Sequence, residues 1–164
     1  MNEKETILAQ AEGLLGTFEK KVAPALQDAS QNPQRTVYDI VTLASILERE
    51  VSDSKDRRIV AGILWKRIEL GIPLQVDATI AFITGKKTGE ITLADLQTPS
   101  PYNTYLHRGL PSGPIANPGL DAIESAAHPD PSDYLYYLSK PTGETVFSKT
   151  LEEHNIAKAT HLKK

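Results

Sequence analysis

Along the first part of the chain, apolar residues recur every three or four positions, the spacing of a helix with one buried stripe. Ile7, Leu8, Leu14, Leu15, Phe18, Val22 and Leu26 set this pattern over residues 3–29. The polar segment SQNPQR at 30–35, with Asn ahead of Pro, breaks it. TVYDIVTLASILEREV then predicts a second helix with its N-cap at or near Thr36. Ser52 and Asp53 end that helix or cap a third, which carries Ile59, Val60, Ile63, Leu64, Trp65 and Ile68 and stops at Gly71 before Pro73.

Beyond Pro73 the texture changes. VDATIAFIT is rich in β-branched residues and predicts a strand, GKKTGE a polar loop, and ITLADL a short helix opened by Thr92. SPYNTYLHRGLPSGPIANPG, residues 100–119, is broken throughout by Pro, Asn and Gly and predicts a long ordered loop. A helix is expected from about Leu120, then a hairpin from DYLYYLSK and PTGETVFSK with Pro141, Thr142 and Gly143 at its turn. LEEHNIAKATHLKK predicts a terminal helix. Helices with one small hairpin make an α+β domain, mainly helical, with a small antiparallel sheet and a long Pro/Gly-rich loop.

Composition narrows the function. The 164 residues suffice for one domain with its own core, and 40% hydrophobic with 24% charged residues is ordinary globular usage. A net charge of −3 supplies no basic face for a polyanion, so nucleic-acid binding is not expected. The absence of cysteine excludes disulfides, thiolate metal sites and thiol catalysis. IVTLASIL at 40–47 is the longest nearly apolar run, far short of the roughly 20 residues that span a bilayer. His107, His128, His154 and His161 lack metal-ligand spacing, so neither metal nor cofactor is expected.

One charged residue stands in the wrong place. At about 100° per residue, Ile40, Leu43, Ile46, Leu47 and Val51 share one sector of the second helix, and Glu50 falls inside it. Arg49 lies outside that sector, and Glu48 sits on its far border near Ala44. A carboxylate turned towards an apolar surface has its charged form disfavoured, so it holds a proton at higher pH, as a general acid must. The pattern alone also allows Glu50 to pair with Arg57, Arg58 or Arg67, or to reach solvent at the helix end.

Five segments carry a resemblance: LASILERE (43–50), GIPLQVDATI (71–80), the 100–119 loop, AAHPDPSDYLYYLS (126–139) and FSKTLEEHN (147–155). In this order and spacing they resemble the YceG-like family of endolytic murein transglycosylases, over roughly two thirds of the chain from Leu43 to Asn155. The resemblance implies a bacterial, membrane-anchored enzyme whose extracytoplasmic domain cuts peptidoglycan strands between N-acetylmuramic acid and N-acetylglucosamine. Its catalytic glutamate, on a lysozyme-like active-site helix, is the second of the ERE motif, which is Glu50 here. Residues 1–35 would then be an N-terminal helix and linker packing on a catalytic unit of residues 36–164.

The implied chemistry is lytic. Protonated Glu50 donates to the glycosidic oxygen, then as carboxylate takes the proton of the muramic acid 6-hydroxyl, which closes onto its own anomeric carbon. No second carboxylate is required; the alternatives are a muramidase with Asp77 as base or nucleophile, and a glycan-binding module without turnover. A glycan groove wants aromatic faces and fixed polar groups, which Tyr102, Asn103, Thr104, Tyr105 and Asn117 supply. Gln75 and Asp77 match the family's LQ-x-D-x-T segment, and His154 and Asn155 its EHN. Thr145 stands where the family shows a histidine after the hairpin glycine, and Val76 and Ala78 also depart from its pattern. The resemblance further implies peptidoglycan synthases as partners. The family's membrane helix and LysM-like domain are not in this sequence, which would make it a catalytic fragment or an unusually short member.

Overall fold

The computed structural model describes residues 16, 20–27, 35–140 and 142–162, so most of the helix expected over 3–29 lies outside the described residues. Among the described residues, six α-helices and one hairpin follow in the order α1 (Ala23–Gln27), α2 (Val37–Glu50), α3 (Ser54–Glu69), α4 (Asp77–Thr84), α5 (Leu120–Ala127), β1 (Tyr136–Ser139), β2 (Thr145–Ser148) and α6 (Leu151–His161). This is the mainly helical α+β architecture with one small antiparallel sheet that the sequence predicts.

Local chemistry sets the helix ends. Thr36 caps α2 in a reciprocal box with Asp39, its hydroxyl accepting from Asp39 N–H while the Asp39 carboxylate accepts from Thr36 N–H. Asp53 caps α3 by accepting from the Lys55 and Asp56 amides at 2.9 and 3.0 Å. The core lies where α5 packs across α2 and α3, with Leu43, Ile46, Leu47, Val60 and Leu64 fully buried. Val22 and Leu26 join the same cluster, and His128 Nε2 lies 3.0 Å from the Ala25 carbonyl. Trp65 ties α3 to α5 through a 2.9 Å bond from its indole N–H to the Ala126 carbonyl. Gly62 is required where the chain crosses α3: a Cβ there would lie 2.1 Å from the Asp130 carbonyl oxygen.

The segment 77–84 is a correction, since VDATIAFIT forms helix α4 and not a strand. β-propensity chiefly records fit to a half-buried sheet, and no sheet edge is offered here. Ala78, Thr79 and Ile80 are buried, and the Thr79 and Thr84 hydroxyls donate to carbonyls of Val76 and Ile80. Gly85 closes the helix in the left-handed conformation with φ of +71°. The helix expected in ITLADL shrinks to a single 3₁₀ turn, Asp95–Gln97, although Thr92 does bond Asp95 as a cap would.

The 100–119 loop is ordered because α2 accepts its backbone. Tyr38 Oη donates to the Ser112 carbonyl at 2.9 Å, Ser45 Oγ accepts from Ile115 N–H at 2.9 Å, and Glu48 accepts from Gly119 N–H at 3.1 Å. Positions 38, 45 and 48 thus hold 112, 115 and 119 in the same order, and the loop lies along the helix with its polar groups satisfied. Gly113 lets the chain pass beneath two tyrosines, since a Cβ would come within 2.6 Å of Tyr38 Oη and 3.3 Å of Tyr102 Oη. The hairpin pairs Tyr137 with Phe147, and α6 packs on both of its strands.

Candidate active site

The two glutamates of ERE go to different places. Glu48 is exposed and reaches the amide at the N-terminus of α5, Gly119. Glu50, at the last turn of α2, reaches the N-terminus of α4, where its Oε1 accepts from Ala78 N–H at 3.1 Å. Its other oxygen, Oε2, accepts from the Tyr137 hydroxyl of β1 at 3.3 Å. None of the three candidate arginines pairs with it. Arg57 bonds Asp121, Arg58 bonds Asp130, and Arg67 bonds carbonyl oxygens.

Burial raises the Glu50 pKa from 4.5 to about 7; the Ala78 amide pulls it back, the Asp77 carboxylate adds to the rise, and the Tyr137 hydroxyl lowers it. Half the population is then protonated near neutral pH, the condition for a group that must give up a proton and later take one. Glu50 as a whole residue is half-buried.

Asp77 opens α4 beside this contact, and the Tyr105 hydroxyl donates to its Oδ1. Tyr105 and Tyr137 both hold their protons more firmly than free tyrosine: burial is the largest cause for each, and the Glu50 carboxylate contributes to both. They therefore act as hydroxyl donors across the working range of pH. Gln75 is exposed with φ of +53°, the one non-glycine in the left-handed region among the described residues. Its N–H donates to the Thr104 carbonyl and its Oε1 accepts from Arg67.

Three residues expected to contact substrate are buried. Asn103 is fully buried: its amide donates to the Leu96 and Thr98 carbonyls at 3.0 and 2.8 Å, and its Oδ1 accepts from Tyr105 N–H at 2.9 Å. Thr104 is buried with its hydroxyl shared between Val76 N–H and the Thr79 hydroxyl. His154 is buried and stacked on Tyr136, ring centres 5.2 Å apart, and burial makes it harder to protonate. Asn and Thr in a loop whose own amides are buried are spent on those amides, which leaves nothing to offer a ligand. Tyr102 packs on Phe82 at 5.0 Å, while Asn117 and Asn155 are exposed on surfaces where no bond ties them to Glu50.

The concavities among the described residues include one of about 470 Å³ lined by Pro99, Ser100, Pro101, Leu106 and His107, and another of about 470 Å³ lined by Ile59, Asp133, Tyr134 and their neighbours. Glu50 lines neither.

Sequence reasoning missed Tyr137 and the position of Arg67. Alternation along DYLYYLSK shows only that neighbouring tyrosines face opposite ways, not that one of those faces meets the end of α2.

The profile of the YceG-like family matches residues 1–160. The endolytic murein transglycosylase of Bacillus subtilis is 44% identical over 77% of this chain and 35% of its own length. That of Streptococcus pneumoniae serotype 2 is 32% identical over 99% of this chain and 30% of its own. A crystal structure described as a putative yceG-like protein from Listeria monocytogenes superposes with a TM-score of 0.81 at 35% identity, covering 96% of this chain and 50% of that one. The chain thus spans about a third of the curated relatives it matches.

Proposed function

The chain belongs to the YceG-like family, and from that premise we propose that it is the catalytic part of an endolytic peptidoglycan lytic transglycosylase, with Glu50 as its single acid and base. The observation that carries this reading is the Glu50 carboxyl itself, on a half-buried residue, held by Ala78 and Tyr137 and poised at about 7. The relatives named endolytic murein transglycosylase supply the substrate class.

In the proposed reaction Glu50 gives its proton to the glycosidic oxygen as the bond to the muramic acid anomeric carbon breaks, and N-acetylglucosamine leaves with that proton. The carboxylate then takes the proton from the 6-hydroxyl, whose oxygen bonds the anomeric carbon and closes a 1,6-anhydro ring. Glu50 ends protonated, no water is consumed, and the nucleophile arrives attached to the substrate. Gln75, Asp77, Tyr102, Tyr105, Asn117 and Asn155 are the proposed groove residues, supported from beneath by Asn103, Thr104 and His154. Residues 36–164 form the proposed catalytic unit, with the preceding helix packed on it through Val22 and Leu26. The substrate places the work outside the cytoplasm, and peptidoglycan synthases are the proposed partners.

Asp77 favours one second reading, hydrolysis, because its charge is close enough to raise the Glu50 pKa. Cleavage of uncross-linked glycan strands in heavy-oxygen water separates the two. Lytic products carry no heavy oxygen and are lighter by one water; hydrolytic ends carry it.

A further inference from the structure

We propose that Arg67 is a positioning residue that locks together the two segments delivering hydrogen-bond donors to Glu50. Arg67 projects from the last turn of α3 and is buried, yet it makes no ion pair among the described residues. Its guanidinium instead spans two strands of chain. Nη2 donates to the Pro73 carbonyl at 2.5 Å and to Gln75 Oε1 at 3.2 Å, and Nη1 reaches the Leu135 carbonyl at 3.5 Å. The guanidinium carbon lies 5.4 Å from the centre of the Tyr136 ring.

Each of those contacts leads to Glu50. Gln75 is followed three residues later by Ala78, whose amide meets Glu50 Oε1. Leu135 is followed two residues later by Tyr137, whose hydroxyl meets Oε2. The first route passes through strained backbone: a left-handed non-glycine residue persists only where its surroundings hold it. Gln75 is held from both sides, by Thr104 on its amide and Arg67 on its side chain.

The arrangement is poor as mere packing. A buried cation without an anionic partner is unfavourable, and Arg67 Nε has no hydrogen-bond partner among the described residues. A rigid planar fork, however, can fix two segments at one spacing, which neither an apolar side chain nor a flexible ammonium can do. The groups facing Glu50 from its neighbours are Asp77 of α4, Tyr137 of β1 and Tyr105 of the long loop, and the Arg67 charge acts on both tyrosines.

This inference rests on the proposed function for its kinetic consequence but not for its first readout. The Glu50 carboxyl is titrated by carbon NMR in the parent chain, in Arg67→Lys, Arg67→Met and Gln75→Gly, and kcat and KM are measured on uncross-linked glycan strands. Loosening both donors that favour the charged carboxylate should raise the Glu50 midpoint by about half a pH unit or more in the Arg67 variants, and loosening the Ala78 donor alone should raise it less in Gln75→Gly. In the Arg67 variants kcat should fall at least about tenfold while KM moves less than about threefold. Arg67→Lys keeps the charge and should not restore either quantity. Gln75→Gly removes the Arg67 acceptor together with a proposed groove contact and relieves the left-handed strain, so its Glu50 midpoint, not its kinetics, decides the matter if the Arg67 variants do not fold. An unchanged Glu50 midpoint in folded variants, or full recovery by lysine, would overturn the proposal. If the parent cleaves no glycan, the proposed function fails while the titration still tests Arg67.

Discussion

The hydroxyl of Tyr137 lies 3.3 Å from Glu50 Oε2, joining residues 87 positions apart. The amide of Ala78 holds the other oxygen at 3.1 Å. A helix end, a helix start and a strand therefore converge on one carboxyl, and its proton affinity is set by all three.

The first consequence concerns activity against pH. With Glu50 at about 7, the protonated form that the proposed cleavage needs is lost as pH rises through that value. Glycan cleavage is expected to fall about tenfold per unit well above pH 7, measured as initial rates of product release.

Tyr137→Phe removes a hydroxyl that favours the charged carboxylate and leaves the ring in place. The alkaline limb of the rate profile should move upward by a few tenths of a pH unit, with stability lowered by about 1 kcal/mol. A limb moving downward would show that the hydroxyl does not serve the carboxylate.

Glu50 also makes folding sensitive to pH, with a definite sign. Its folded pKa is raised, so between 4.5 and about 7 the folded state binds more protons than the unfolded state, and stability falls as pH rises across that window. Glu50→Gln removes this penalty. The variant should be more stable than the parent above pH 7, by up to about 3 kcal/mol, and the advantage should vanish towards pH 4, as thermal melts at the two extremes would reveal.

Asn103→Ala should unfold the long loop locally. It leaves the Leu96 and Thr98 carbonyls and the Tyr105 amide without their partner. A loss of about 3 kcal/mol or more is expected in denaturant unfolding, with Tyr105 amide exchange accelerated first.

Much of this was legible in the sequence, for physical reasons that differ by segment. The stripe in LASILEREV is a long 3.6-residue pattern, and it singled out Glu50 because a helix leaves little choice of where a side chain points. Thr36, Asp53 and the hairpin turn were legible because capping and turn chemistry are local. Helix α4 was not, since its start is secured by Glu50, a residue far away in the chain, and its β-branched composition pointed elsewhere. Asn103 and Thr104 were placed in the groove because polar loop residues suggest ligands; burial of the loop's own amides turned them inward. Tyr137 and Arg67 depend on how the hairpin meets α2 and α3, which no local pattern encodes.

The most direct test compares the two neighbouring glutamates. Parent, Glu48→Gln and Glu50→Gln are incubated with uncross-linked peptidoglycan strands, and the products are weighed by mass spectrometry. Glu48 only caps α5, so Glu48→Gln should release anhydro-ended products within about threefold of the parent rate, whereas Glu50→Gln should lose at least about a thousandfold. Anhydro products persisting in Glu50→Gln at near the parent rate would contradict the central claim.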